Sequence, residues 1–432
     1  MNSVSLVVFL SHRMVIRGVL RVNDTVRGYP LKAFFIYLFA YSTAQMDLAL
    51  FGYAIPSIRT EFNLSLSEVM KIVSIAFLIG GCLLVFVSVL ADTWGRLPLF
   101  QFTLFGSSLM VAMTGLASSV ATLTVLRGTS IAIGGLSYPV TGAIITEEFP
   151  ARVRGIFMGL LQIGYPLGWA MASLWSMWIL TEYGWRHLFL VGFVSLPMVF
   201  VVRHYLREPP RSVASQRNAS IFNILKLFGS SIRYRAAVLF AAQFLFVWAY
   251  AASIFLFPSF LLEARGMDSF NFSVLIGAGN GIGVFGYILA AWVGEYKLTR
   301  RNTVVLWTLL GAVFFQVLVW RAETFSQILI IYSVMSMFFY GSAAVKFAYL
   351  AEVFPTPVRA TAMAVCGSFA VTLGSAAGPY YVSLAVEAWG WNLGYAMLTG
   401  IPLMLAGLLY LALDSLPSGL EIEEIETIYS QG

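Results

Sequence analysis

The sequence predicts an all-α integral membrane protein: twelve transmembrane helices in two six-helix bundles related as parallel repeats. Three observations predict it. Of 432 residues, 59% are hydrophobic and only 11% charged, with a mean hydropathy of +0.84. Soluble chains average about 45–50% apolar and about 25% charged residues, which excludes a water-soluble globule, a disordered chain or a coiled coil. The apolar residues also fall into twelve runs of about twenty, the length that crosses a bilayer core. Finally, short motifs recur in the same order at an offset near 205 residues.

The runs lie near 33–56, 69–90, 97–117, 121–146, 156–181 and 187–206, then 236–262, 271–293, 302–320, 325–350, 361–386 and 393–413. Each must be helical, because in lipid every backbone polar group needs a partner within its own segment. The first run is too long, and too far from the start, for a cleaved signal. The bundles therefore occupy 31–206 and 236–414. A basic tail (1–30) precedes them, a linker (207–235) joins them and an acidic tail (415–432) follows. In the first tail Arg13, Arg17 and Arg21 fall at i, i+4 and i+8, a basic helical face suited to anionic lipid. Translation from Met14 is an equal alternative.

Nineteen of the 26 Lys and Arg residues fall in the tails, the linker and the loops on one side of the membrane. That bias places both termini in the cytoplasm, as expected for a multi-pass protein of the plasma membrane. The net charge of +6 thus marks topology and the lipid bilayer as partner, not a nucleic acid. Cys82 and Cys366 sit in apolar runs and read as small buried hydrophobes. His12, His187 and His204 form no cluster. No metal site, nucleophile–base pair or cofactor motif is present, so an enzyme is disfavoured.

The repeat is read from four matches. Glu147-Glu148-Phe149-Pro150-Ala151-Arg152-Val153-Arg154-Gly155 is echoed by Glu352-Val353-Phe354-Pro355-Thr356-Pro357-Val358-Arg359-Ala360. Gly184-Trp185 matches Gly390-Trp391, Pro56-Ser57 matches Pro258-Ser259, and Arg96 lands on Arg301. Parallel half repeats are the signature of transporters that rock one bundle against the other around a midplane site.

Asp47 is the sharpest chemical feature. It lies 15 residues beyond Lys32, so about 22 Å into a core of about 30 Å. Intramembrane acids are costly and mark proton or substrate paths; the structural alternative is an Asp satisfied by Ser42, Thr43 or Gln45. Arg127 sits at a depth suited to meeting Asp47 or clasping a substrate carboxylate, unless it snorkels to the interface. Lys346, near the cytoplasmic end of the tenth run, suits an inner gate or an anion contact. Gln162, Tyr165, Gln243, Trp248, Tyr250, Asn280, Tyr340 and Thr372 are polar or amphipathic at mid-depth, fit to line a small-molecule cavity or to tie helices together.

Leu90-Ala91-Asp92-Thr93-Trp94-Gly95-Arg96-Leu97 resembles the signature loop of the major facilitator superfamily. Its counterpart, Gly294-Glu295-Tyr296-Lys297-Leu298-Thr299-Arg300-Arg301, is a degenerate version one residue longer. Within the superfamily the chain is similar to the metabolite:proton symporters of aromatic-acid and sialic-acid type. The similarity lies in Asp47 to Pro56, in Tyr183-Gly184-Trp185-Arg186 and in Gly419-Leu420-Glu421-Ile422-Glu423-Glu424-Ile425. The resemblance implies alternating access with a proton as the coupling ion, no cofactor, and an Arg127 tied to proton coupling. It also implies a conformational latch at Asp92, Gly95 and Arg96, repeated at Glu295 and Arg301, with Glu147, Arg154, Glu352 and Arg359 as partners.

The expected activity is proton-driven import of a small organic acid by a monomer. An exporter or antiporter and a facilitative uniporter are alternatives of the same class. A receptor that binds a metabolite without moving it is disfavoured, because the linker and tail are too short for signalling segments.

Overall fold

The computed structural model describes residues 29–94, 96–137, 140, 141, 144, 145, 149, 157–207, 232–354 and 362–415. Among these residues the secondary structure is helical throughout, as lipid requires. The first bundle contains α1 (Tyr29–Phe62), α2 (Leu66–Trp94), α3 (Arg96–Thr114), α4 (Val120–Gly134) and α5 (Gly164–Glu182), then α6 (Trp185–Tyr205). The second contains α7 (Arg233–Phe255, carried on by Phe257–Glu263), α8 (Ser269–Tyr296) and α9 (Arg300–Arg321). It closes with α10 (Phe325–Phe339, resumed as Ala343–Val353), α11 (Ala370–Gly390) and α12 (Trp391–Gly400, then Ile401–Leu409).

These helices answer to the twelve predicted runs. Nine stretches among the described residues are long and apolar enough to cross a membrane, and one of them, Met363–Ala412, covers both α11 and α12. α1 is longer than its apolar run, extending past Pro56 to Phe62. Cys366 is buried as expected, whereas Cys82 is exposed.

Helix starts follow from local chemistry. Ser119, Asp268 and Thr299 each accept a hydrogen bond from the backbone three residues on, at the heads of α4, α8 and α9. Thr324 and Gln327 form a reciprocal capping box at α10. Each such cap satisfies an amide that the helix itself leaves unpaired.

The ends opposite the described termini are joined by tight turns. Gly184 and Gly390 turn the chain at positive φ between α5 and α6 and between α11 and α12, a conformation that glycine adopts without steric cost. The following tryptophans are tied to repeat-related acids: Trp185 Nε1 donates to Glu61 at 2.6 Å and Trp391 Nε1 to Glu263 at 3.2 Å. Arg186 donates to the carbonyls of Gly115 and Ala117 beyond the end of α3. Arg265 does the same for Val319 and Ala322 at the end of α9.

α10 breaks at Tyr340–Ser342, where three helices crowd together. A Cβ on Gly341 would lie 2.7 Å from the Gly286 backbone of α8, and one on Gly311 would lie 2.7 Å from Phe339 Cα. Only glycines admit this approach. The break ends the first part of α10, and the helix resumes as Ala343–Val353.

Candidate site: a central cavity and a separate buried acid

A cavity of about 240 Å³ lies between the bundles. Its first-bundle wall comes from Tyr41, Gln45 and Leu48 of α1, Phe77 of α2, and Gln162 and Tyr165 at the head of α5. The second bundle contributes Gln243, Phe246, Val247, Tyr250, Ala251, Ile254 and Phe255 of α7, Tyr287 of α8, Lys346 of α10, and Val371 and Ser375 of α11. Spacings of three and four residues explain the choice: Tyr41, Gln45 and Leu48 share one helical face, as do Gln243, Phe246, Tyr250 and Ile254.

Four of the residues expected on this wall are there: Gln162, Tyr165, Gln243 and Tyr250. Four others are not on it. Trp248 lies off the α7 cavity face, stacks on Tyr381 with ring centroids 5.6 Å apart and donates to Leu398 O at 2.8 Å. Asn280 donates to Ile276 O of its own helix and to Tyr332 Oη, so it ties α8 to α10. Tyr340 is buried in the α10 break against Tyr250. Thr372 bonds its own helix at Ser368 O and fills the space above Gly81, where α11 meets α2. Sequence reasoning missed Tyr41, Gln45 and Tyr287, although the i, i+4, i+7 spacing of Tyr41, Gln45 and Leu48 was the signal that marks such a face.

Lys346 is also placed differently from the expected inner gate. It lines the cavity, is 3% exposed and lies over the Phe246 ring. Counting along the helix puts it near the cytoplasmic interface, but the count does not say that its side chain lines the cavity.

Asp47 sits one residue off the α1 cavity face and points into the first bundle. It is 1% exposed and accepts from Ser108 Oγ at 2.9 Å and Ser195 Oγ at 3.3 Å. Its sequence neighbours do not serve it: Ser42 and Thr43 bond the carbonyls of Leu38 and Ala40 instead. Arg127 is the cation whose field acts on it. That guanidinium is 1% exposed, lies 4.8 Å from the Phe51 ring and 5.9 Å from Phe189, and leaves Nε and Nη1 without hydrogen-bond partners. Arg127 thus acts electrostatically on Asp47 but is not on the cavity wall, so a role as substrate clamp has no geometric support in this conformation.

Above the cavity the bundles are fastened together. Ser74 Oγ donates to Ala376 O and Ser173 Oγ to Ser273 O, pairing α2 with α11 and α5 with α8. Phe77 and Trp169 pack on Phe255 at 5.8 and 6.3 Å. At the rim Arg59 pairs with Glu263, and the amide of Ser67 donates to Glu387 at 2.7 Å. The cavity is thus shut on the side opposite the described termini.

The repeated loop places Glu295 against Arg300 at 2.8 Å, within its own bundle. Arg301 donates to Leu413 O and to Asn302. Among the described residues neither reaches across to the first bundle. The latch expected at Asp92, Gly95, Arg96, Glu147, Arg154, Glu352 and Arg359 falls outside the described residues and side chains.

A family model described as the Major Facilitator Superfamily matches residues 37–300. A cis,cis-muconate transport protein of Acinetobacter baylyi is 26% identical over 87% of this chain and 92% of its own length. A putative niacin/nicotinamide transporter of Bacillus subtilis is 26% identical over 78% and 84%. The crystal structure of a D-xylose–proton symporter superposes with a TM-score of 0.71 at 16% identity, covering 89% of this chain and 97% of that one. An inward-facing bacterial homologue of the lysosomal transporter Spinster gives 0.68 at 16% identity, over 94% and 98%.

Proposed function

Since this chain belongs to the Major Facilitator Superfamily, whose members are membrane transporters and not enzymes, we propose that it is a proton-driven symporter importing a small organic acid. The observation that carries this reading is the burial of Asp47 inside the first bundle, held by Ser108 and Ser195 beside the incompletely bonded Arg127. An intramembrane acid of this kind marks a proton path. Two of the relatives are by name transporters of muconate, a dicarboxylate, and of niacin, a ring carboxylate, or its neutral amide nicotinamide; the two acids among these support an organic-acid substrate.

Protonating Asp47 removes the negative charge that acts on Arg127 and so weakens the attraction between α1 and α4. α1 carries Asp47 on one face and cavity residues Tyr41, Gln45 and Leu48 on the other, so it links the two sites mechanically. The linkage is reciprocal: a proton on Asp47 favours substrate binding, and substrate favours the proton. The protein works as a monomer in the plasma membrane with both termini cytoplasmic.

The test uses purified protein in liposomes with a pH-sensitive dye trapped inside. Organic acids, sialic acid and sugars are added in turn. Internal acidification driven by one acid, absent in Asp47→Asn, is the expected result. Full active uptake by Asp47→Asn overturns the proton role, and labelled flux without acidification makes the protein a uniporter.

A further inference from the structure

We propose that Lys346 is the substrate-binding cation of the central cavity, and that it selects a single carboxylate carried on a flat, one-ring body. The proposal rests on the reading above that the cargo is an organic acid, and it adds which residue holds it and how many charges it bears.

Lys346 is the one charged residue on the described cavity wall. It is 3% exposed, and the ring of Phe246 is its contact. No carboxylate pairs with it among the described residues. An ammonium buried in this way is costly unless an anion is brought to it. The other buried charges among the described residues, Asp47 and Arg127, act on each other electrostatically. At Lys346 the protein provides a cavity instead.

The rest of the wall describes what the anion is attached to. Tyr165 and Tyr250 lie 5.5 Å apart, and Phe246 stacks on Tyr250 at 5.9 Å, which gives broad ring faces beside the ammonium. Gln45, Gln162 and Gln243 are the wall's amides; an amide can hydrogen-bond a carboxylate or a ring substituent without adding charge. At about 240 Å³ the space falls below the roughly 300–1,000 Å³ of pockets for drug-sized ligands. One ring with a carboxylate suits it. A second carboxylate would be desolvated against tyrosines and valines with no second cation, because Arg127 is off the wall.

The test is equilibrium binding to the purified full-length protein in detergent, with labelled benzoate, nicotinate and 4-hydroxybenzoate as acids. Benzamide serves as the neutral isostere and terephthalate as the dicarboxylate. At least one acid is expected to bind, with its amide and terephthalate each about 30-fold weaker, as loss or mismatch of one buried charged contact implies. Lys346→Gln should bring acid and amide within about 3-fold of each other, and Lys346→Arg should restore the preference for the acid. That ratio reads charge recognition and does not move when a variant is merely less stable.

Unchanged acid preference in Lys346→Gln overturns the proposal, as does terephthalate binding as tightly as benzoate. If Lys346→Gln does not fold, the terephthalate and benzamide ratios of the wild type decide alone. No proton gradient is present, so a uniporter passes this test. Binding of a sugar with none of the acids would instead sink the organic-acid reading and this proposal together.

Discussion

Gly184 and Gly390, at equivalent places in the two halves, turn the chain through the same left-handed region, at φ of 80° and 79°. A Cβ at either would meet nothing within 4 Å, so a substitution there is resisted by backbone conformation and not by crowding. Gly184→Ala and Gly390→Ala should each lower stability by about 1–2 kcal/mol, with Asn costing less than Ala. Thermal unfolding of the purified variants checks both the size and the order.

Arg186 and Arg265 do one task from non-equivalent loops, each donating two hydrogen bonds to the carbonyls at the end of α3 or α9. Lysine cannot span two carbonyls with a planar fork. Arg265→Lys is expected to cost about 1–3 kcal/mol, seen as a lower unfolding temperature. An unaltered temperature would mean that water replaces the lost bonds.

The pair of Arg59 and Glu263 joins α1 to α7 at the rim, with both side chains partly exposed. A pair of this kind is worth about 0–1 kcal/mol, so Glu263→Gln should shift the balance toward an outward-open state by no more than about 5-fold. The charge-reversed double variant, Arg59→Glu with Glu263→Arg, should restore the balance. Spin labels at the outer ends of α1 and α7 would report the distance populations directly.

Ser108 supplies Asp47 with its shorter hydrogen bond. A bond to a charged group contributes about 1.5–3 kcal/mol. Ser108→Ala should therefore depress stability by about that amount, and by less when Asp47→Asn is already present. The double-mutant cycle isolates the coupling; a coupling of zero would mean that the carboxyl is neutral in the resting state.

The helices were legible because hydropathy and lipid leave a chain few choices, and the repeat because Gly184-Trp185 and Gly390-Trp391 need the same turn. The burial of Asp47 was legible from its depth. Its partners were not, since serines such as Ser108 and Ser195 occur throughout the spans and only packing decides which face inward. Arg127 and Lys346 each carried two readings, and depth alone does not choose between them. Depth along a helix says how far a charge lies from the interface, not which way it points. Nor does any local pattern announce the α10 break, where Gly341 meets Gly286 and Gly311 meets Phe339. Trp248 misled because amphipathic character at mid-depth is shared by cavity walls and helix contacts alike.

The seams above the cavity are fastened by serine hydroxyls on backbone carbonyls, Ser74 on Ala376 and Ser173 on Ser273. A carbonyl has a second lone pair, so each acceptor keeps its helical bond whether or not the serine is there. Ser74 also donates to Met70 of its own helix and retains that outlet when the bundles part. At Ser74 neither side of the seam is then left with an orphaned polar group. A fastening of this type trades holding strength for reversibility, which sets how fast the molecule can cycle.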